Sequence, residues 1–247
     1  MTLDFWVRTS GTWINVATIL IGTGLGLLMR GRLPDRMQRI ITQGVGLTVM
    51  MVGFTMAGRM GEVQAGRVDG VILGLVAMVA GGLLGEWWRL EEGLEAIGNV
   101  LKKRFKGKGD FTEGFVTASL LFCVGPMALV GSLNNGLTGD NTILSLKATM
   151  DGLASVALAS SFGNGVGFSA LPIALYQGSF SLAAGFLAQG LADPQSDPRV
   201  LLITGVGGLI IVATGLNLLG IAKVRIASFL PALGVAIALY ALADGLS

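Results

Sequence analysis

Lys147 and Asp151 stand four residues apart, one helical turn, in an otherwise apolar stretch. An ionised side chain in hydrocarbon costs at least about 3 kcal/mol, so such groups face a bundle interior, a partner or a water-filled path. Asp151 therefore reads either as an ion or solute contact, or as half of an interfacial salt bridge whose lysine snorkels to the headgroups. Just downstream, Gly163, Gly165 and Gly167 surround Asn164, and Pro172 follows. Three glycines in five residues and a nearby proline do not favour continuous helix. Unwound backbone at membrane depth survives only where protein buries it or where it lines a cavity. There its free amides and carbonyls, with Asn164, Ser161 and Ser169, would make a binding surface; the same pattern also suits a tight turn between two spans. Asn15 and Asn217 are lone amides in apolar runs, suited to interhelical hydrogen bonding or to ligand contact.

Several chemistries are excluded outright. The chain has no histidine, so it has no imidazole base, no Ser–His or Cys–His pair and no imidazole metal site. Cys123 is the single cysteine and lies in an apolar stretch, which reads as a small core residue. The segment Leu137-Thr-Gly-Asp140 lacks the first glycine of an intramembrane aspartyl protease, and no phosphate-binding loop carries a lysine. The chain is not expected to be an enzyme and calls for no cofactor. A net charge of +2 is too small to suggest nucleic acid.

What must position these groups is a set of membrane helices. Of 247 residues, 52% are apolar and 13% charged, against roughly a quarter charged in soluble domains. Charge-free runs repeatedly approach the ~20 residues that cross a bilayer. They predict an all-α polytopic bundle of about eight spans, near 9–29, 40–58, 70–85, 114–133, 144–162, 167–190, 200–222 and 226–243, in a single membrane domain. The run 152–192 carries no charge for 41 residues. As one helix it would be roughly 60 Å long, twice the hydrocarbon core, so it must break or fold back near 161–167. Pro126 and Pro231 are expected to kink spans four and eight.

Eight spans place Arg30, Arg32, Arg36, Arg39, Arg89, Lys102, Lys103, Arg104, Lys106, Lys108, Lys223 and Arg225 on one side. That is twelve of the seventeen basic residues. By the positive-inside rule this side is cytoplasmic and both termini lie outside. Trp87, Leu90, Leu94, Ile97 and Leu101 repeat at helical spacing, so 87–105 reads as an amphipathic helix on the inner membrane surface. Lys106 and Lys108 continue it as a basic link.

Two segments resemble each other. Gly44-Val-Gly-Leu47 with Gly53 and Gly58 matches Gly205-Val-Gly-Gly-Leu209 with Gly215 and Gly220, allowing one extra glycine. Spans one to three and six to eight then read as an inverted repeat, which places a transporter's site near the midplane. Close helix packing alone also produces such glycines. The repeat would bring Asn15 and Asn217 toward the midplane, between Asp151 at an outer mouth and Asn164 at an inner one.

Several segments, in order, resemble the DUF554 membrane proteins of bacteria. They are Gly11-Thr-Trp-Ile-Asn-Val16, Gly22 to Gly26, Arg32-Leu-Pro-Asp-Arg36, Gln43-Gly-Val-Gly-Leu47, Phe122-Cys-Val-Gly-Pro-Met127, Gly136-Leu-Thr-Gly-Asp140, Asp151-Gly-Leu-Ala-Ser155, and Ala170-Leu-Pro172 followed by Tyr176-Gln-Gly178. The resemblance implies a multi-pass protein of the bacterial plasma membrane, of a kind sometimes described as transporters, with no established substrate. The expectation is a small secondary transporter or channel-like carrier for an ion or small polar solute, in lipid and as a homo-oligomer, with a dimer the leading form. The alternative is a non-transporting scaffold or regulator that binds a partner through the amphipathic helix and loops.

Overall fold

The computed structural model describes residues 4–30, 34–105, 110–123, 126–187 and 196–245. Lys106, Lys108, Arg32 and the end of the sixth expected span at 188–190 lie outside the described residues. The chain forms eleven described helices: α1 (Phe5–Arg8), α2 (Ser10–Met29), α3 (Asp35–Ala57), α4 (Gly70–Trp87), α5 (Leu90–Arg104), α6 (Phe111–Cys123), α7 (Pro126–Thr138), α8 (Thr142–Phe162), α9 (Ala170–Leu187), α10 (Pro198–Leu218) and α11 (Pro231–Gly245). Among the described residues six helical segments are long and apolar enough to cross a membrane, and α6 with α7 makes a seventh if that bent pair is one span. The all-α polytopic expectation holds at this level.

The departures have local causes. The fourth span is two helices whose axes differ by 73° across 124–125. Each has 13 residues, about 20 Å, too short to cross alone. Pro231 does not kink a helix but starts one, because its missing N–H costs nothing in the first turn. The residues before it, Ile226–Phe229, form a separate 3-10 turn. The amphipathic helix begins at Leu90 and not at 87, since α4 runs on to Trp87 and Arg89 turns left-handed at φ 53°. Between α3 and α4 the all-α expectation missed a two-residue antiparallel hairpin, Gln64–Ala65 against Val68–Asp69. Gly66 turns it at φ 58°, a conformation side chains resist.

The chain divides into two compact units, and the domain boundaries cut across the linear order. The first comprises Met1–Val45, Glu95–Cys123 and Met127–Ala192; the second holds Gly46–Leu94, Val124–Pro126 and Asp193–Ser247.

In the second unit a core of Met60, Val63, Leu73, Leu202, Val206 and Ala232 joins α4, α10 and α11. Here the two similar glycine segments pack on each other. A side chain at Gly53 would meet Val212 and the carbonyl of Gly208, and one at Gly46 would meet Leu219 and the carbonyl of Gly215. The acidic start of α5 is fastened to the turn before α11. Arg225 donates to Glu86 at 2.7 Å and to Glu92 at 2.5 Å, while Glu91 accepts from the amide of Ala227 at 2.7 Å. Its own backbone amide and the Arg225 guanidinium hold the Glu92 carboxyl below its ordinary range. Trp87 and Trp88 are exposed, as headgroup-level residues would be.

Asn217 belongs to this unit and is spent on its own turn. Its side chain donates to the carbonyl of Val224 and accepts from the amide of Val224, both at 2.8 Å. Helix α10 has just ended, at Leu218, and Gly220 at φ 71° reverses the chain. Asn217→Ala removes both partners of a half-buried backbone pair and is expected to cost about 1–3 kcal/mol. Thermal unfolding in detergent checks this, and a shift within error of wild type would refute the role.

Candidate functional site

The first unit is built around two parallel helices in intimate contact, α2 and α8. Glycines on α2 allow the approach: a Cβ at Gly22 would strike the carbonyl of Gly152, and one at Gly26 the carbonyl of Val156. Gly11 likewise sits on Leu144. With backbones this close, short polar side chains on the facing surfaces meet directly.

At that seam Lys147 and Asp151 form an ion pair through Nζ and Oδ2. Their relative exposures are only 6% and 8%. Asp151 is the tenth of the 21 residues of α8, about 14 Å from its start. The pair is thus buried at mid-helix in α8. The Lys147 ammonium also sits 6.0 Å from the centroid of the buried Phe122 ring of α6, a cation–π distance.

Asn15 of α2 joins the pair. Its Nδ2 donates to Asp151 Oδ2 at 2.9 Å and to Gln177 Oε1 of α9 at 3.3 Å. Asn15 and Gln177 are fully buried. One carboxylate oxygen thus accepts from an ammonium and an amide, both charge-assisted. Yet among the described residues Asn15 Oδ1 and Gln177 Nε2 have no hydrogen-bond partner, nor do Thr12, Ser119, Ser132, Ser155 and Ser181 through their hydroxyls. Each such buried atom ordinarily costs about 1–3 kcal/mol. Thr12 is one turn from Asn15, Ser155 one turn from Asp151 and Ser181 one turn from Gln177. The unit therefore carries a buried polar track with surplus donors and acceptors, centred on four strongly polar side chains.

The glycine-rich break is a turn that brings α8 and α9 back to the same depth. Helix α8 ends at Phe162, Gly163 adopts φ 89°, and Asn164–Ser169 forms a 3-10 turn before α9. Asp151 and Gln177 lie thirteen residues on either side of Asn164. Asn164 is therefore about 20 Å along either helix from the buried pair and does not join it. The glycines admit close neighbours: Arg30 lies over Gly163, the carbonyl of Phe111 over Gly165, and Thr23 over Gly167. Ser161 shares a hydrogen bond with Thr42 at 2.6 Å, and Ser169 is buried with no partner for its hydroxyl among the described residues. Pro172 falls in the first turn of α9, where proline is tolerated.

Of the sequence candidates, Lys147, Asp151 and Asn15 come together; Asn164, Ser161, Ser169 and the three glycines gather at the turn, while Asn217 caps its own loop. Gln177 was missed, although it is the single amide in α9 and could have been read as Asn15 was. Asn135 was missed too. Fully buried in α7, it accepts from the amide of Gly11 at 3.0 Å and donates to Val7, Ser10 and Gly139. Arg8 closes the same end, donating to the carbonyls of Gly136 at 3.0 Å and Leu182 at 2.8 Å. Before α8, hydrogen bonds from Thr142 hold the exposed Asp140 carboxyl below its ordinary range. Among the described residues no group of three or more acidic or cysteine side chains could hold a metal ion.

Comparison with known proteins places the whole arrangement. The profile described as "Protein of unknown function (DUF554)" matches residues 10–241. The chain belongs to the DUF554 family. It is 33% identical over 223 residues to the "Uncharacterized membrane protein YdfK" of Bacillus subtilis (strain 168), covering 90% of this chain and 92% of that one. It is 29% identical over 238 residues to the "Uncharacterized protein YqgA" of Escherichia coli (strain K12), covering 94% and 96%. No solved structure matches. The DUF554 match spans every element that contributes to the polar track, from α2 to α9.

Proposed function

We propose that this DUF554 protein is a small secondary transporter or channel-like carrier for an ion or small polar solute, with Asp151, Lys147, Asn15 and Gln177 at its site. One observation carries the reading: a charged pair halfway along an apolar helix, flanked by fully buried amides with unused donors and acceptors. A scaffold has no use for that combination, because apolar packing of the same volume is cheaper.

We read the two similar glycine segments as an inverted repeat in support of the same function, with a register that is constant from Gly46 onward. Adding 162 carries Gly46 to Gly208, Leu47 to Leu209, Gly53 to Gly215 and Gly58 to Gly220. The same shift carries α2 (Ser10–Met29) onto 172–191, α3 (Asp35–Ala57) onto 197–219 and the Gly70–Gly85 part of α4 onto 232–247, close to α9, α10 and α11. It also carries Asn15 onto Gln177. Residues equivalent under a two-fold axis meet where that axis passes, and Asn15 does bond Gln177. Within the second unit the approach of Gly46 to Gly215 is mirrored by that of Gly208 to Gly53. The equivalent of Asn15 is thus Gln177, and not Asn217. A substrate site at the meeting of inverted halves is how secondary transporters alternate access.

The topology belongs to the proposal: eight spans counting α9 and the bent α6–α7 pair, both termini outside the plasma membrane and α5 on the cytoplasmic face. The parallel run of α2 and α8 agrees with that parity. Catalysis is not part of the reading, and a homodimer is. The test is flux of a panel of labelled ions and polar solutes into proteoliposomes, with wild type against Asp151→Asn. At least one solute should cross, with a tenfold or greater loss in a folded Asp151→Asn protein. Flux of that solute unchanged by the substitution would make Asp151 structural and sink the site.

A further inference from the structure

We infer that the site takes a small zwitterion, an amino acid, with Asp151 and Asn15 Oδ1 receiving its ammonium and Lys147 and Gln177 Nε2 its carboxylate. This rests on the transporter reading and names its substrate class. Lys147 and Asp151 are a buried ion pair of no net charge. The helices packed around them offer nothing else to balance a charged ligand. Helix α2 has no charged side chain between Arg8 and Arg30, α9 has none, and α6 has none beyond Glu113 in its first turn. A lone cation or a lone anion would therefore bring a charge with no counterpart, which a low-dielectric interior opposes. A zwitterion adds no net charge. Each of its ends replaces one member of the protein pair, so one ion pair becomes two and every charge keeps an opposite neighbour.

The groups converge on one atom. Lys147 Nζ and Asn15 Nδ2 both donate to Asp151 Oδ2, the second at 2.9 Å, and Gln177 Oε1 accepts from the same Asn15 Nδ2 at 3.3 Å. What these bonds leave over is one acceptor and one donor. Asn15 Oδ1 belongs to the amide already on Asp151, and it has no partner among the described residues. An ammonium with three N–H groups can give to the Asp151 carboxylate and to this oxygen together. Gln177 Nε2 is likewise without a partner among the described residues. A ligand carboxylate, an acceptor at both oxygens, can take from it and from the Lys147 ammonium. Surplus of a single kind would suit an ion of one sign; surplus of both kinds suits a molecule that carries both. Asn15 and Gln177 are fully buried, so each unused atom carries a desolvation cost that such a ligand removes.

The seam sets the size. Gly22 and Gly26 bring α2 onto the backbone of α8, so a bulky ligand side chain would have to part the two helices. The hydroxyls of Thr12, Ser155 and Ser181, without partners among the described residues, stand one turn from Asn15, Asp151 and Gln177. Glycine, alanine and serine suit such surroundings. A quaternary ammonium has no N–H to give, so it would leave Asn15 Oδ1 unsatisfied.

The experiment uses the full chain, in detergent for binding and in proteoliposomes for counterflow. Labelled glycine, alanine and serine are the probes; propionate, ethylamine and glycine betaine are the competitors. At least one amino acid should bind and exchange across the membrane. Its own unlabelled form should displace it roughly 100-fold better than any of the three competitors, each of which leaves a buried polar group without its partner. Gln177→Leu should weaken its binding about tenfold, the worth of one buried hydrogen bond. Two further variants should invert the preference. Lys147→Met leaves the carboxylate alone, so ethylamine should raise its melting temperature and propionate should not. Asp151→Asn leaves the ammonium alone, and there propionate should act and ethylamine should not. Wild type should respond to neither. A merely structural ion pair would show no such inversion. If neither variant folds, the competition in wild type decides. Propionate, ethylamine or glycine betaine competing as well as the amino acid overturns the inference, and so does an unchanged preference in the folded variants. If no amino acid binds while another solute crosses in an Asp151-dependent way, the zwitterion falls and the transporter stands. Binding without flux keeps the zwitterion site and removes the transporter. If nothing binds or crosses, both fall.

Discussion

Lys147→Ala alone should destabilise the folded protein by about 3–5 kcal/mol, whereas Lys147→Met with Asp151→Leu should recover most of that loss. The single change strands a carboxylate at mid-helix with only Asn15 and no counter-charge. The double change removes both charges and puts apolar volume in their place, so the desolvation penalty of each ion disappears with its partner. The coupling is large because both groups are nearly excluded from solvent and share one oxygen with Asn15. Thermal or denaturant unfolding of the purified protein in one detergent, run as a double-mutant cycle, gives the coupling energy. Additive losses would mean that the pair is solvated in the membrane and is not the buried element described. The double variant is also a stable, transport-dead control: stability should return and flux should not. A folded double variant that still moves the solute would remove Lys147 and Asp151 from the mechanism together.

The second large effect is steric. Gly22→Leu should cost about 3 kcal/mol or more, the upper end for overpacking, because the new side chain would drive into the backbone carbonyl of Gly152. Backbone cannot yield as a flexible side chain can. Gly24→Leu, two residues away on the exposed face of the same helix, has open space around its Cβ and should shift stability by no more than about 0.5 kcal/mol in either direction. The comparison holds composition and helix constant and varies only the facing surface. Monodispersity and unfolding temperature in detergent read it out, and equal effects at the two positions would show that α2 and α8 do not approach through Gly22. Separation of these helices should also part Asn15 from Asp151, so flux should fall with stability in Gly22→Leu.

Membrane class, family and most spans were legible in the chain itself. Apolar runs near 20 residues have few alternatives in a bilayer, because backbone polar groups must be satisfied within the helix. The same logic forced the break in the 41-residue run, since no helix of that length fits the core. Helix ends were less legible. Whether Pro231 kinks or starts a helix, and where α4 yields to α5, depends on a few backbone angles that hydropathy does not record. The site was half visible. Lys147 and Asp151 announce themselves by the cost of charge in hydrocarbon, and Asn15 by being an amide among apolar neighbours. Which amide meets Asn15 was a tertiary matter. Asn217 and Gln177 look equally polar in the sequence; one is consumed by its own turn and the other is carried to Asp151 by the fold-back at Gly163. Position along the helix was structural as well, because the ends of the span containing Asp151 could be placed only to within a turn or two until the helix Thr142–Phe162 set Asp151 at its middle. Spacing along one helix decides which residues share a face, and the close seam between α2 and α8 decides which faces meet.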